Sequence, residues 1–399
     1  MFSVYLILKK LKLDILPVAC DRKSKRLTMS EKRGQKQHKI EDIGDMLDHI
    51  SNLSDCILHH ILSFMPTKEA VKTSILSTRW KNIWASIPTI DFDDDLLYAM
   101  KDDDDSHCPD VTSFMNFVER VLRLRDASNM KKFCLSCYVF RDTSRIRSWI
   151  SYAIIHNVQE LDLCLLEVDP SVIPSCVFNS SSLATLKLEM HWVELPSHVS
   201  FPCLKTLHLS FLGFPDEDYA EKLFSGCSVL ENLVLSDCMW MDVEDIVISI
   251  STLKSLTIDD QSFLDPFYDY NGCKIKIDAP NLTYFEYIGF LSNEILLNNV
   301  PSLVNACIHI SLPCERQKIV AYRAIDLLKP LQYVVSLRLS NCTIESLICR
   351  DNVPLHFPVF SNLIHLVLTK EIENYTFGAL MDMLHFCPIL QSICFSKVD

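Results

Sequence analysis

Glycine is scarce in this chain, with 7 residues in 399. Phosphate-cradling loops and glycine-based dinucleotide turns need several glycines at fixed spacing, because the backbone must approach the ligand closely. Neither G-x-G-x-x-G nor G-x-x-x-x-G-K-[ST] occurs, and G-x-S-x-G and H-E-x-x-H are missing too. No apolar run is long enough for a bilayer: the stretch from Phe2 to Leu8 is cut by Lys9, Lys10 and Lys12. It also lacks the basic region that precedes a secretory signal. A basic surface is absent from the body of the protein. Residues 1–40 carry +8, so the remainder carries −21 of the net −13, which argues against nucleic acid as the main partner. Metal frameworks are equally thin. Cys134-Leu135-Ser136-Cys137 is a lone C-x-x-C without a second pair, and its surroundings read as a strand with packed thiols. The aspartates of 91–110 lack EF-hand spacing and its loop glycine. His59 and His60 lie on a helix surface with no ligand pattern nearby. No cofactor, metal or membrane is expected.

Cysteine, by contrast, is plentiful: 17 residues scattered through apolar patterns, an odd number without framework spacing. That usage reads as reduced, mostly buried thiols in the cytoplasm or nucleus. Residues 1–45 read as a basic, disordered leader. Its Arg22-Lys23-Ser24-Lys25-Arg26 cluster fits either an import signal or a solvated tail.

Residues 46–90 form a small helical unit richer in apolar side chains than it can bury. Leu53, Ile57, Leu58, Ile61, Leu62 and Met65 recur at helical spacing, and Pro66 ends the run. Thr67 is placed to cap a second helix holding Ala70, Val71, Ile75 and Leu76. A third short helix carries Trp80, Ile83 and Trp84. Apolar surface left over on such a unit marks a docking device. Residues 91–132 follow as an acidic linker and a helix, the latter marked by Phe114, Phe117, Val118, Val121 and Leu122.

From residue 133 the period changes. The phrase apolar-x-x-apolar-x-apolar starts at Val158, Leu183, Leu204, Leu230, Leu253, Leu282, Leu303, Val334, Leu363 and Leu390, at intervals of 21 to 31 residues. This is the leucine-rich-repeat period with some units lengthened. In Leu204–Leu209, Leu204, Leu207 and Leu209 point inward while Thr206 and His208 face out. One such strand cannot bury its leucines alone, so the units must stack into a solenoid. The expected fold is α/β: three N-terminal helices, then an irregular solenoid with a parallel sheet on its concave face and short helices such as 216–229 on the other side. Residues 133–358 are assigned to the solenoid and 359–399 to its final repeats.

Ile50-Ser51, Leu53-x-Asp55, Ile57-Leu58, Ile61–Phe64, Pro66–Lys68, Ala70-Val71, Thr73-Ser74, Leu76-Ser77, Arg79-Trp80, Trp84 and Asp91–Asp93 together resemble the F-box of plant F-box/FBD/LRR-repeat proteins. Echoes in the repeats, from Cys176, Phe201, Gly226 and Ala279, are similar to the same family. The tail from Phe360 to Phe395 looks like the opening of an FBD region, apparently truncated at Asp399. Ser54 stands where that family usually has proline, and serine there can cap the helix instead.

The resemblance implies a substrate receptor of an SCF-type cullin–RING ubiquitin ligase rather than an enzyme. Its implied contacts with a Skp-type adaptor are Leu53, Ser54, Ile57, Leu58, Ile61, Leu62, Pro66, Val71 and Trp80; the competing reading makes Ile61, Val71 and Trp80 internal packing. An unknown protein substrate would meet the outward strand positions Thr185, Lys187, Thr206, His208, Asn232, Ser255, Thr257, Tyr284, Glu286, Ser336, Arg338 and His365. The alternative is a ligase-independent leucine-rich-repeat scaffold.

Overall fold

A computed structural model describes residues 50, 53–93, 111–126, 128–137, 142–166, 169–240, 243–261, 272–311, 317–347, 358–369 and 377–396. The basic leader, the aspartates beyond 93 and the last three residues lie outside the described residues. The chain divides into two compact units, Met1–Ile87 and Pro88–Asp399.

In the first unit, helix α1 (Asp55–Leu62) buries Leu58, Ile61 and Leu62, an i, i+3, i+4 stripe. Ser54 occupies its N-cap position with φ −63° and ψ 152°, but its side chain makes no capping bond, contrary to the expected cap. Arg79 instead ties down the helix start, reaching the Leu53 carbonyl and pairing with Asp55 at 2.9 Å. Thr67 is likewise not a cap: Pro66 holds that position and Thr67 is the first, fully buried residue of α2 (Thr67–Lys72). Proline fits there because its fixed φ matches the observed −51°. The chain continues through 3-10 turns at Thr73–Ile75 and Ile83–Ser86, the latter burying Ile83 and Trp84. The third helix is thus one short 3-10 segment.

The backbone at Ser54 suits proline too, since φ is −63° and no described residue accepts a bond from its N–H. Ser54→Pro is expected to raise the thermal stability of the chain by roughly 0.4–1 kcal/mol, by restricting the unfolded state. Calorimetry of both forms checks this; destabilisation would show that the N–H or hydroxyl matters.

The second unit opens with β1 (Thr89–Asp93), β2 (Lys132–Ser136), β3 (Glu160–Cys164), β4 (Thr185–Glu189) and β5 (Thr206–Ser210). Then come β6 (Gly213–Phe214), β7 (Asn232–Ser236), β8 (Met239–Trp240), β9 (Asp245–Ser249), β10 (Ser255–Asp260), β11 (Lys274–Asp278) and β12 (Tyr284–Gly289). The last strands are β13 (Glu294–Asn299), β14 (Asn305–Ile310), β15 (Ser336–Ser340), β16 (His365–Thr369) and β17 (Ser392–Ser396). Twelve of these make one sheet in the order β1-β2-β3-β4-β5-β7-β10-β12-β14-β15-β16-β17. Every neighbouring pair in it is parallel.

Period-two alternation drives this arrangement. Leu161 and Leu163, Leu186 and Leu188, Leu207 and Leu209, Leu233 and Leu235 are all buried and stack in register across adjacent strands. Full burial of each leucine contributes roughly 1.5–3 kcal/mol, which no isolated strand could collect.

Two expectations are corrected. Residues 91–93 are not linker: β1 begins the sheet, with Ile90 and Phe92 buried opposite Phe133 and Leu135 of β2. The sheet therefore starts at Thr89 rather than near 133. The far side of the solenoid is also more than short helices. The expected helix is present at Glu217–Ser225, capped by Asp216, and other helices join sheet strands at Thr143–Ile155, Gln317–Leu328 and Phe377–Leu384. The units that follow Glu217–Ser225 place β13, β11 and β9 there as a second parallel sheet. Their segments alternate isoleucine or leucine with polar residues, a strand pattern.

At the C-terminal end of β14, pairing with β15 stops at Ile308 and Leu339. The buried Thr343 hydroxyl continues the ladder, accepting from Ile310 N at 2.9 Å and donating to Ile308 O at 2.9 Å.

Candidate functional site

On the helical unit, the nine predicted contacts fall into two groups. Leu58, Ile61, Leu62 and Trp80 are buried, at 7% exposure or less, and form the inside of the unit. Leu53, Pro66 and Val71 are half-buried, while Ser54 and Ile57 are exposed. The apolar side chains that face solvent are Ile57, Phe64, Ile75 and Leu76, exposed by 47, 51, 85 and 49%. Phe64 packs edge-on against His60, which gives that histidine a surface role. Phe64, Ile75 and Leu76 were not among the predicted contacts, because they lie past the ends of α1 and α2, where periodicity does not say which apolar residue turns outward.

On the sheet, the structure brings the predicted positions together. Thr185, Thr206, Asn232, Ser255, Tyr284, Ser336 and His365 lie on one continuous row across the strands. Lys187, His208, Thr257, Glu286 and Arg338 lie on the next row, two residues along each strand. Extending those rows to the first strands adds Thr89, Lys132 and Glu160 to one and Asp91, Cys134 and Asp162 to the other. Glu160 and Asp162 occupy the same repeat positions as Thr185 and Lys187, so the phrase at Val158 already carried that signal. Asp91 and Lys132 precede the first phrase and left no such mark.

The outward side chains bond across strands. Asn232 donates to Thr206 Oγ1 at 3.3 Å, and Lys187 meets Asp162 at 3.8 Å. His208 Nε2 sits 3.2 Å from the hydroxyls of both Ser210 and Ser236. Partial burial, aided by Lys187, pushes the His208 pKa down, so the imidazole is neutral at neutral pH. Thr257 Oγ1 contacts Glu286 at 3.5 Å. The Tyr284 hydroxyl is pushed up to about 12 by burial and by Glu286, and the Cys307 thiol reaches about 12 for the same reasons.

That face is built for hydrogen bonding rather than nucleophilic chemistry. Burial holds Cys134 at about 12 and Cys164 at about 11, far above the range in which a thiolate forms. Among the described residues no cluster of three His, Cys, Asp or Glu side chains could hold a metal ion. No described helix is long and apolar enough to cross a membrane.

A second polar cluster lies off the face, around Asp260, a position that no repeat phrase marks. Asp260, at the end of β10, is 6% exposed, and its Oδ2 has no hydrogen-bond partner. Beside it, the buried Tyr287 hydroxyl accepts from Leu291 N at 2.7 Å, and Asn293 Oδ1 accepts from Cys273 N at 3.1 Å. Gly289 adopts φ +151°, and a side chain there would meet Asp260 Cβ at 2.9 Å, so glycine is required at that close approach.

A helical unit with solvent-facing apolar residues, followed by a repeat sheet with an ordered polar face, defines a modular leucine-rich-repeat protein. Comparison with known proteins agrees. The F-box domain matches residues 50–90. The LRR repeats of the FBD-associated F-box protein At5g56370 match residues 146–300. In Arabidopsis thaliana, F-box/LRR-repeat protein At3g59200 is 33% identical over 375 residues, covering 88% of this chain and 69% of the relative. F-box/LRR-repeat protein At4g14096 is 33% identical over 361 residues, covering 89% and 74%. F-box/LRR-repeat protein At3g59190 is 31% identical over 369 residues, covering 87% and 92%. The chain belongs to the plant F-box/LRR-repeat family.

Proposed function

We propose that this protein is the substrate-receptor subunit of an SCF-type cullin–RING ubiquitin ligase, acting in the nucleus or cytoplasm. Its F-box docks on a Skp-type adaptor, and the outward rows of its sheet hold a protein substrate. The chain performs no chemistry itself. Holding a substrate beside the ubiquitin-charged enzyme raises the effective concentration of the two, which is the whole of its contribution. The observation that carries this reading is the apolar group Ile57, Phe64, Ile75 and Leu76 on a unit whose own core is already filled by Leu58, Leu62 and Trp80. Exposed apolar side chains on so small a unit fit a protein interface.

The test is co-purification of the full chain with a Skp-type adaptor and a cullin. Capture of both supports the reading. A chain that binds other proteins through its sheet yet captures neither would be a ligase-independent scaffold.

A further inference from the structure

The outward face of the sheet is electrically polarised along its length. On β1 to β4, Asp91, Asp93, Glu160, Asp162 and Glu189 outnumber Lys132 and Lys187. The crowding is felt: the Asp91 carboxyl is pushed up by burial and then by Asp93, against the opposing pull of Lys132. On β14 to β17 the outward positions hold no carboxylate. They hold Arg338, exposed and free of any ion pair among the described residues, with His309 and His365 on the flanking strands. Between the two ends the outward carboxylates are Asp259 on β10 and Glu286 on β12, the latter contacted by Thr257 at 3.5 Å, and Arg338 lies three and two strands beyond them.

Resting on the reading of this face as a protein-binding surface, we infer that its partner is an extended protein segment with two separated blocks of charge. A basic block meets β1 to β4, and an acidic block meets Arg338. The spacing sets the segment's length. From β3 to β15 is seven strand steps, roughly 34 Å at about 4.8 Å per step. An extended chain covers that distance in about ten residues. Well-mixed charge cannot satisfy both ends, and blocks placed closer together can pair Arg338 only with the two carboxylates of β10 and β12, not with the five of β1 to β4.

The test uses the full chain and synthetic peptides at low salt, where surface charge is least screened. One peptide carries an arginine block and a glutamate block joined by about fifteen glycine and serine residues, long enough to bridge. A second has the same blocks almost adjacent, a third interleaves the same residues, and a fourth has the arginine block alone. The long-spacer peptide is expected to bind at least about fivefold tighter than the others. Arg338→Glu should remove that advantage while leaving the arginine-only peptide unaffected, and Glu160→Lys should weaken both. Melting curves exclude misfolding of either variant. Equal binding of the first three peptides, or an Arg338→Glu effect on the arginine-only peptide as large as on the long one, overturns the inference. Adaptor capture is read separately. If it succeeds while the peptides do not discriminate, the ligase role stands and the charge reading falls; if it fails while they do, the reverse holds.

Discussion

The double variant Ile57→Asp, Leu76→Asp is expected to abolish adaptor capture, with affinity falling at least about a hundredfold, while the chain stays folded. Both side chains are about half exposed, so placing a carboxylate there costs little in the isolated protein. Within an interface core the same carboxylates would be desolvated without partners, and a few such positions dominate binding energy. Leu58→Asp provides the contrast. Leu58 is fully buried, so an ionised aspartate there should unfold the helical unit, and adaptor binding would vanish for a trivial reason. Surface-plasmon measurements paired with calorimetry separate the two outcomes. If the double variant binds as tightly as the native chain, the exposed group is not the docking face.

That contrast also shows what was legible in the sequence. The phrase Leu204–Leu209 predicted its strand, its inward leucines and its outward Thr206 and His208, because a period of two leaves no freedom once one face must be buried. The rows along the sheet followed from the same rule repeated in register. Strand β1 was hidden because its outward positions are Asp91 and Asp93, and a run of aspartates reads as solvated chain until Ile90 and Phe92 find their partners on β2. In α1 the difficulty is different. Ile57 and Leu58 are both apolar neighbours, and only packing of the helix against the segment Ile83–Ser86 decides which is core. The strands β9, β11 and β13 were missed for a third reason: they lie between the repeat phrases, where a short alternating segment competes with a helix and tertiary pairing settles the outcome.

Asp260→Asn is expected to stabilise the repeat unit at high pH and not at low pH. Burial is the main cause that raises the Asp260 carboxyl; hydrogen bonds from Asn293 and Tyr287 oppose it, and repulsion from Asp237 and Asp259 adds to it, leaving the group at about 7. Arg323 is the nearby cation on helix Gln317–Leu328, and it bears on Tyr287 while its Nη1 bonds the Leu291 carbonyl at 2.8 Å. Because the folded state holds this proton more tightly than the unfolded state, whose carboxyl titrates near 3.8, stability falls as pH rises from about 4 to about 7. Beyond that the full cost of the buried carboxylate is present, about 4 kcal/mol for a carboxyl so displaced. Asparagine cannot ionise, and its amide can donate toward Asp237, so its advantage should open across that same window and amount to several degrees of melting temperature by pH 8. All other titrating groups are common to both proteins, so the difference between the two pH profiles isolates this one. Amide exchange at Leu291 and Cys273, whose N–H groups bond Tyr287 and Asn293, reports the same change locally: faster exchange in the native chain above pH 7, and none of that extra opening in the variant. Parallel melting profiles from pH 4.5 to 8 would mean that the carboxylate is already ionised and satisfied in the folded chain.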